Sequence, residues 1–146
     1  LLIRALNFGR NGSSLGAGDD GLINELIDVH GYSRFYCPEM HALHAIPRSR
    51  LNWDYLVDLH RGFGCGSAKI CIFMLKYHKC GRGKYVIRTL ALMGFSVVDI
   101  LRFVFMKCLN PKKFKLEGEP MQLKGARAFS TVRELFLGWG KVGEVY

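Results

Sequence analysis

From Tyr85 to Met106 the chain reads YVIRTLALMGFSVVDILRFVFM, and no other stretch limits the fold as tightly. A run this apolar must be buried in a core or met by lipid. Its polar residues are ordered: Arg88, Ser96, Asp99 and Arg102 fall close to one helical stripe, while Leu, Val, Ile and Phe fill a wide arc. The length suffices to cross a bilayer. Charges at Arg88, Asp99 and Arg102 argue against a simple lipid-exposed crossing. The expectation is a helix lying in the membrane interface, or one packed in a hairpin with the apolar helix before it. KCLNPKKFK follows at once, a basic cluster of the kind drawn to anionic lipid. The competing reading is a buried helix of a soluble domain followed by a solvated basic loop.

The charge balance agrees with an anionic partner. A formal net charge of +9 on 146 residues suits nucleic acid, acidic lipid or a phosphorylated substrate. With 49% apolar residues the chain can bury a sizeable core and is not expected to be disordered. Cys37, Cys65, Cys71, Cys80 and Cys108 are odd in number, irregularly spaced and without a CxxC pair. A structural zinc site or a dense disulfide frame is therefore not indicated, and reduced thiols in a reducing compartment are expected. LLIRALNFGRNG at the N-terminus has too short an apolar run for a signal peptide. A chain starting at Leu1 reads as a mature product or as a piece of a longer protein.

Taken in order, Asn7 to Gly18 is rich in Gly, Ser and Asn and reads as a surface loop. Its glycines lack both a Walker lysine and the GxGxxG spacing, so phosphate cradling is not favoured. Asp19 or Asp20 can cap the helix that follows, whose apolar stripe is Leu22, Ile23, Leu26, Ile27 and Val29. Gly31 should stop that helix. Tyr32 to Cys37 and Met40 to Ile46 read as short strands, ended by Pro38 and Pro47. A helical pattern returns from Leu51 to about Tyr77, with GFGCGS (Gly62 to Ser67) expected to kink or break it. Lys76 to Lys84 is a basic connector. Glu117 to Pro120 reads as a polar turn, and Met121 to Leu137 as a last helix.

The residues that could do chemistry lie early in the chain. Asp19 and Asp20 can bind a cation, act as a general base or simply cap a helix, and capping is the favoured reading. His41 and His44, three apart on a strand-like segment, would project to opposite faces and not share a metal. One of them could still join a carboxylate-bound ion. Arg48 and Arg50 can grip phosphate or be ordinary surface charges. No serine sits in a GxSxG elbow, and no nucleic-acid readout pattern is present, so nucleic acid is not an expected partner.

The order of these features resembles the C-terminal half of the catalytic domain of glycosyltransferase family 2, the GT-A fold. The matching text is Phe8-Gly9-Arg10-Asn11-Gly12, Leu15-Gly16-Ala17-Gly18-Asp19-Asp20, Gly31-Tyr32, Tyr36-Cys37-Pro38-Glu39 and His44-Ala45-Ile46-Pro47-Arg48-Ser49-Arg50-Leu51. The resemblance implies an α/β fragment over residues 1–80, the acceptor side of a GT-A domain. A mainly helical, membrane-associated tail would follow over 81–146. It implies transfer of a sugar from a nucleotide-diphosphate donor to an acceptor hydroxyl. Asp20 would be the general base and Asp19 the acid beside it. His44 would help hold Mg2+ or Mn2+ on the diphosphate, Arg10 would border the acceptor, and Arg48 or Arg50 would contact the diphosphate. Leu22 and Leu26 stand where the family has an acid and an arginine. The nucleotide-binding βαβ units and their Asp-x-Asp are not among these residues, which implies that the chain alone is inactive. The implied location is the cytoplasmic face of the cell membrane. The alternative function is a non-catalytic basic protein that binds membrane surfaces.

Overall fold

The computed structural model describes residues 17–77 and 82–141. Every regular element among them is helical: α1 (Asp19–Val29), a 3-10 turn (Arg48–Arg50), α2 (Trp53–Tyr77), α3 (Arg82–Leu109) and α4 (Pro111–Lys141). This corrects the expected α/β fragment of a GT-A domain, because no strand occurs among the described residues. Tyr32 to Cys37 and Met40 to Ile46 have β-prone residues, but a strand exists only when a neighbour pairs with it. Here both stretches run exposed and unladdered between α1 and the 3-10 turn.

α1 begins without a side-chain cap. Gly18, at φ 114°, turns the chain into the helix, and its carbonyl accepts the Leu22 N–H at 2.8 Å. Asp19 and Asp20 sit in the first turn, where free N–H groups and the positive end of the helix dipole favour carboxylates. Asp20 Oδ1 accepts the Gly21 N–H at 2.8 Å. The other end is closed as expected at Gly31, at φ 75°. Tyr32 donates to the Ile27 carbonyl at 3.1 Å and Gly31 to that of Asp28 at 3.2 Å, the paired bonds of a Schellman cap. Leu22 is fully buried against Ile70, Phe73 and Met74 of α2 and Tyr85 of α3. Burying a leucine is worth about 1.5–3 kcal/mol, so this residue ties α1 to the bundle.

α2 does not break at GFGCGS. It is continuous from Trp53 to Tyr77, with Gly62, Gly64 and Gly66 buried inside it. Each glycine costs up to about 1 kcal/mol of helix propensity. Packing gives the compensation: a Cβ on Gly64 would strike the Arg127 carbonyl of α4, and one on Gly66 would strike the backbone of Ala17. Gly64 and Gly66 are therefore surfaces for close approach, not hinges. α2 and α4 run parallel. Trp53 Nε1 donates to Gln122 Oε1 at 3.1 Å, and Ser130 Oγ to the Arg61 carbonyl at 2.7 Å. Further along, Ala68 and Ile72 pack with Leu135.

α3 lies antiparallel along α4. Leu92 and Met93 join the Leu135 cluster, while Phe103, further along α3, meets Gly125 and Phe129. α4 also runs through the expected turn at Glu117 to Pro120, keeping Pro120 inside one helix. Phe103 meets the rings of both Phe114 and Phe129 edge-on, at centroid distances of 5.6 and 6.2 Å. A straight helix would hold those two residues about 22 Å apart along its axis, beyond the reach of one ring. α4 therefore bends in the interval that holds Gly118 and Pro120, and contact with α3 keeps the two halves together.

Candidate functional site

The exposed stretch after α1 doubles back so that one open hollow forms between it, the start of α1 and the first turns of α2. Asp19, Asp20, His44 and Arg50 line it, with Ile46, Tyr55, Leu59 and Phe63 as its apolar walls and a volume of about 700 Å3. Arg50 stands with its guanidinium carbon 6.0 Å from the centre of the Tyr55 ring. Arg48 belongs to the same 3-10 turn but is not part of the lining. His41 is exposed and also outside it. Arg10 lies outside the described residues. Among the described residues no three His, Cys, Asp or Glu side chains converge as metal ligands.

A second polar cluster joins α1 to α3 and was not singled out from the sequence. Glu25 accepts a hydrogen bond from Tyr85 Oη at 2.8 Å and pairs with Arg88, and Lys84 Nζ stands 3.8 Å away. Burial pushes the Glu25 carboxyl up. The hydrogen bonds from Arg88 and Tyr85, with the charges of Arg88 and Lys84, outweigh it and hold the group below the usual carboxylate range. Burial and the bond to Glu25 push the Tyr85 hydroxyl up to about 12. The sequence did carry a sign of this cluster. Leu22, Glu25, Leu26 and Val29 share one face of α1, and a carboxylate on an apolar stripe needs a partner.

The third feature is the outer face of α3. Val86, Ile87, Leu90, Val97, Val98, Leu101, Val104, Phe105 and Leu109 are all exposed and fill one broad arc of the helix. The opposite stripe, with Tyr85, Ser96 and Phe103, turns toward the rest of the bundle. The helix carries an 18-residue window of mean hydropathy 1.8, of which only 6% is buried. A core helix of this hydropathy would be mostly covered. At the C-terminal end of the arc the exposed face deepens into a groove lined by Leu101, Arg102, Phe105, Cys108, Leu109 and Met121, with a volume of about 690 Å3.

No protein-family model, curated protein or solved structure matches this chain. Together with a wholly helical set of elements, this overturns the resemblance to glycosyltransferase family 2. Part of the matching text, Phe8 to Gly12 and Leu15 to Gly16, lies outside the described residues; the rest falls on the start of α1 and the extended stretch and 3-10 turn after it, where no strand forms.

Proposed function

We propose that this chain is a membrane-surface protein whose α3 lies in the lipid interface. The observation that carries this reading is the apolar outer arc of α3, long, continuous and uncovered. From Val86 to Leu109 it runs about 35 Å, and no neighbouring element among the described residues removes it from water. Basic residues stand at both ends: Arg82, Lys84 and Arg88 at the first, Arg102, Lys107 and Lys112 at the second, all exposed. They suit the negative potential of an anionic leaflet, at about 1 kcal/mol per charge near the surface.

Lying in the interface is favoured over crossing it. α4 is packed along α3 and carries Lys124, Arg127, Arg133 and Glu134. A crossing α3 would draw these charges to hydrocarbon depth, at about 2.5–3.5 kcal/mol for each basic side chain. In the interface only the outer arc meets acyl chains, and the charged helices stay behind it in water. Sugar transfer rested on the overturned resemblance, and nothing among the described residues supports it independently.

Co-sedimentation with vesicles containing phosphatidylglycerol tests the reading. The paired change Leu90→Asn and Val97→Asn should lower the bound fraction at least about tenfold while circular dichroism stays that of the parent. Unchanged binding by that folded variant would discard the outer arc as the membrane face.

A further inference from the structure

The groove at the end of α3 is a shallow, open one shared with α4. Its walls are Leu101, Phe105 and Leu109 on one side and Met121 of α4 on the other, and its volume falls in the range of sites that take a small organic ligand. Apart from Arg102 every residue that lines it is apolar or a cysteine. Arg102 is exposed and, among the described residues, has no ion-pair or hydrogen-bond partner. A guanidinium on a long aliphatic stem can lay its carbons along such a wall and keep its charge at headgroup level. An apolar slot walled in part by the stem of an exposed, unpaired arginine matches a molecule with an apolar tail and an anionic head.

We propose that this groove holds one acyl chain of an anionic phospholipid, with the Arg102 guanidinium on that lipid's phosphate. The proposal rests on the membrane-surface reading and deepens it. The outer arc brings the protein to the bilayer, and the groove selects one lipid from it. Arg102 donates two parallel hydrogen bonds to phosphate oxygens. The tail fills space that water would otherwise occupy against Phe105 and Met121.

The test uses the full chain and vesicles doped with phosphatidylglycerol or phosphatidylcholine carrying a photoreactive diazirine in one acyl chain, with adducts mapped by peptide mass spectrometry. Phosphatidylglycerol adducts should concentrate on Leu101 to Leu109 and Met121, several-fold above those on Val86 to Val98. Phosphatidylcholine adducts should spread along the whole arc. With adducts counted per molecule of vesicle-bound protein, Arg102→Gln should level the phosphatidylglycerol pattern, and Cys108→Trp should remove adducts from Met121. Identical maps for the two lipids, or an even spread of both, would overturn the groove while leaving the membrane reading intact. Equal labelling of the same residues by a monomeric fatty-acid probe without vesicles would overturn the phospholipid assignment. Failure of the parent chain to sediment at all would sink the membrane reading itself.

Discussion

The inner face of α3 mixes polar and apolar side chains, whereas its outer face is an exposed apolar arc. The face turned inward includes Tyr85 and Ser96, both buried, and Tyr85 is polar at its tip. The face turned outward is the more apolar, with Leu90, Val97, Leu101 and Val104 in the open. Inside, Glu25 takes up the Tyr85 hydroxyl, while the Thr89 hydroxyl is buried without a hydrogen-bond partner. Outside, nothing specific is needed if the surroundings are hydrocarbon. The contrast teaches that hydropathy alone does not say which side of a helix is the core; the polar residues and their partners do.

The largest blow to the inner side is Tyr85→Ala, which empties a nearly fully buried ring site and strips Glu25 of a donor. It should cost about 3–5 kcal/mol by denaturant unfolding. A smaller cost would mean that the inner face is not the core. Glu25→Gln should cost about 1–3 kcal/mol, allowing for screening at the half-exposed Arg88. Its pH dependence has a definite sign. Because the fold lowers the Glu25 value, the parent's advantage is complete above the unfolded value of about 4.3 and fades as acid carries the pH below it. On the alkaline side Tyr85, raised to about 12, favours the fold fully below about pH 10 and yields that contribution as the pH climbs toward 12. Urea melts at graded pH, parent against variant, check both limbs.

Thiol labelling sharpens the contrast between the faces without any substitution. Cys108 is exposed on the outer arc, whereas Cys71 is buried and burial pushes its thiol up. The Cys108 peptide should alkylate at least about tenfold faster, since Cys71 must wait for local opening. Comparable rates would show that α2 and α3 part easily. The smallest effect belongs outside: Val97→Asn alone should move stability in vesicle-free buffer by no more than about 0.5 kcal/mol. A larger loss would mean that some neighbour covers the arc in solution.

Periodicity carried most of the fold. The stripe of Leu22 and Leu26, the stop at Gly31 and the long apolar segment from Tyr85 each became a helix with boundaries a few residues from those expected. What local pattern could not show was packing that overrides propensity. Gly64 and Gly66 read as breaks because what they pack against, Arg127 of α4 and Ala17 before α1, is distant in sequence. Tyr32 to Ile46 read as strands because composition says nothing about whether a pairing partner exists. The same holds for the site. Asp19, Asp20, His44 and Arg50 do line one hollow, but Arg48 does not. Glu25 needed the helical wheel of α1 to be read for its exception, not its stripe.

Gly64 carries a mechanical consequence. With the Arg127 carbonyl seated where its side chain would be, α2 is keyed to α4 at one setting. One turn away on either side stand His60 and Ala68, and the Cβ of either would collide in that place. Sliding of one helix past the other is thereby barred. Any shape change of the bundle swings these two as a single rigid arm, leaving α3 and its connections to absorb the strain.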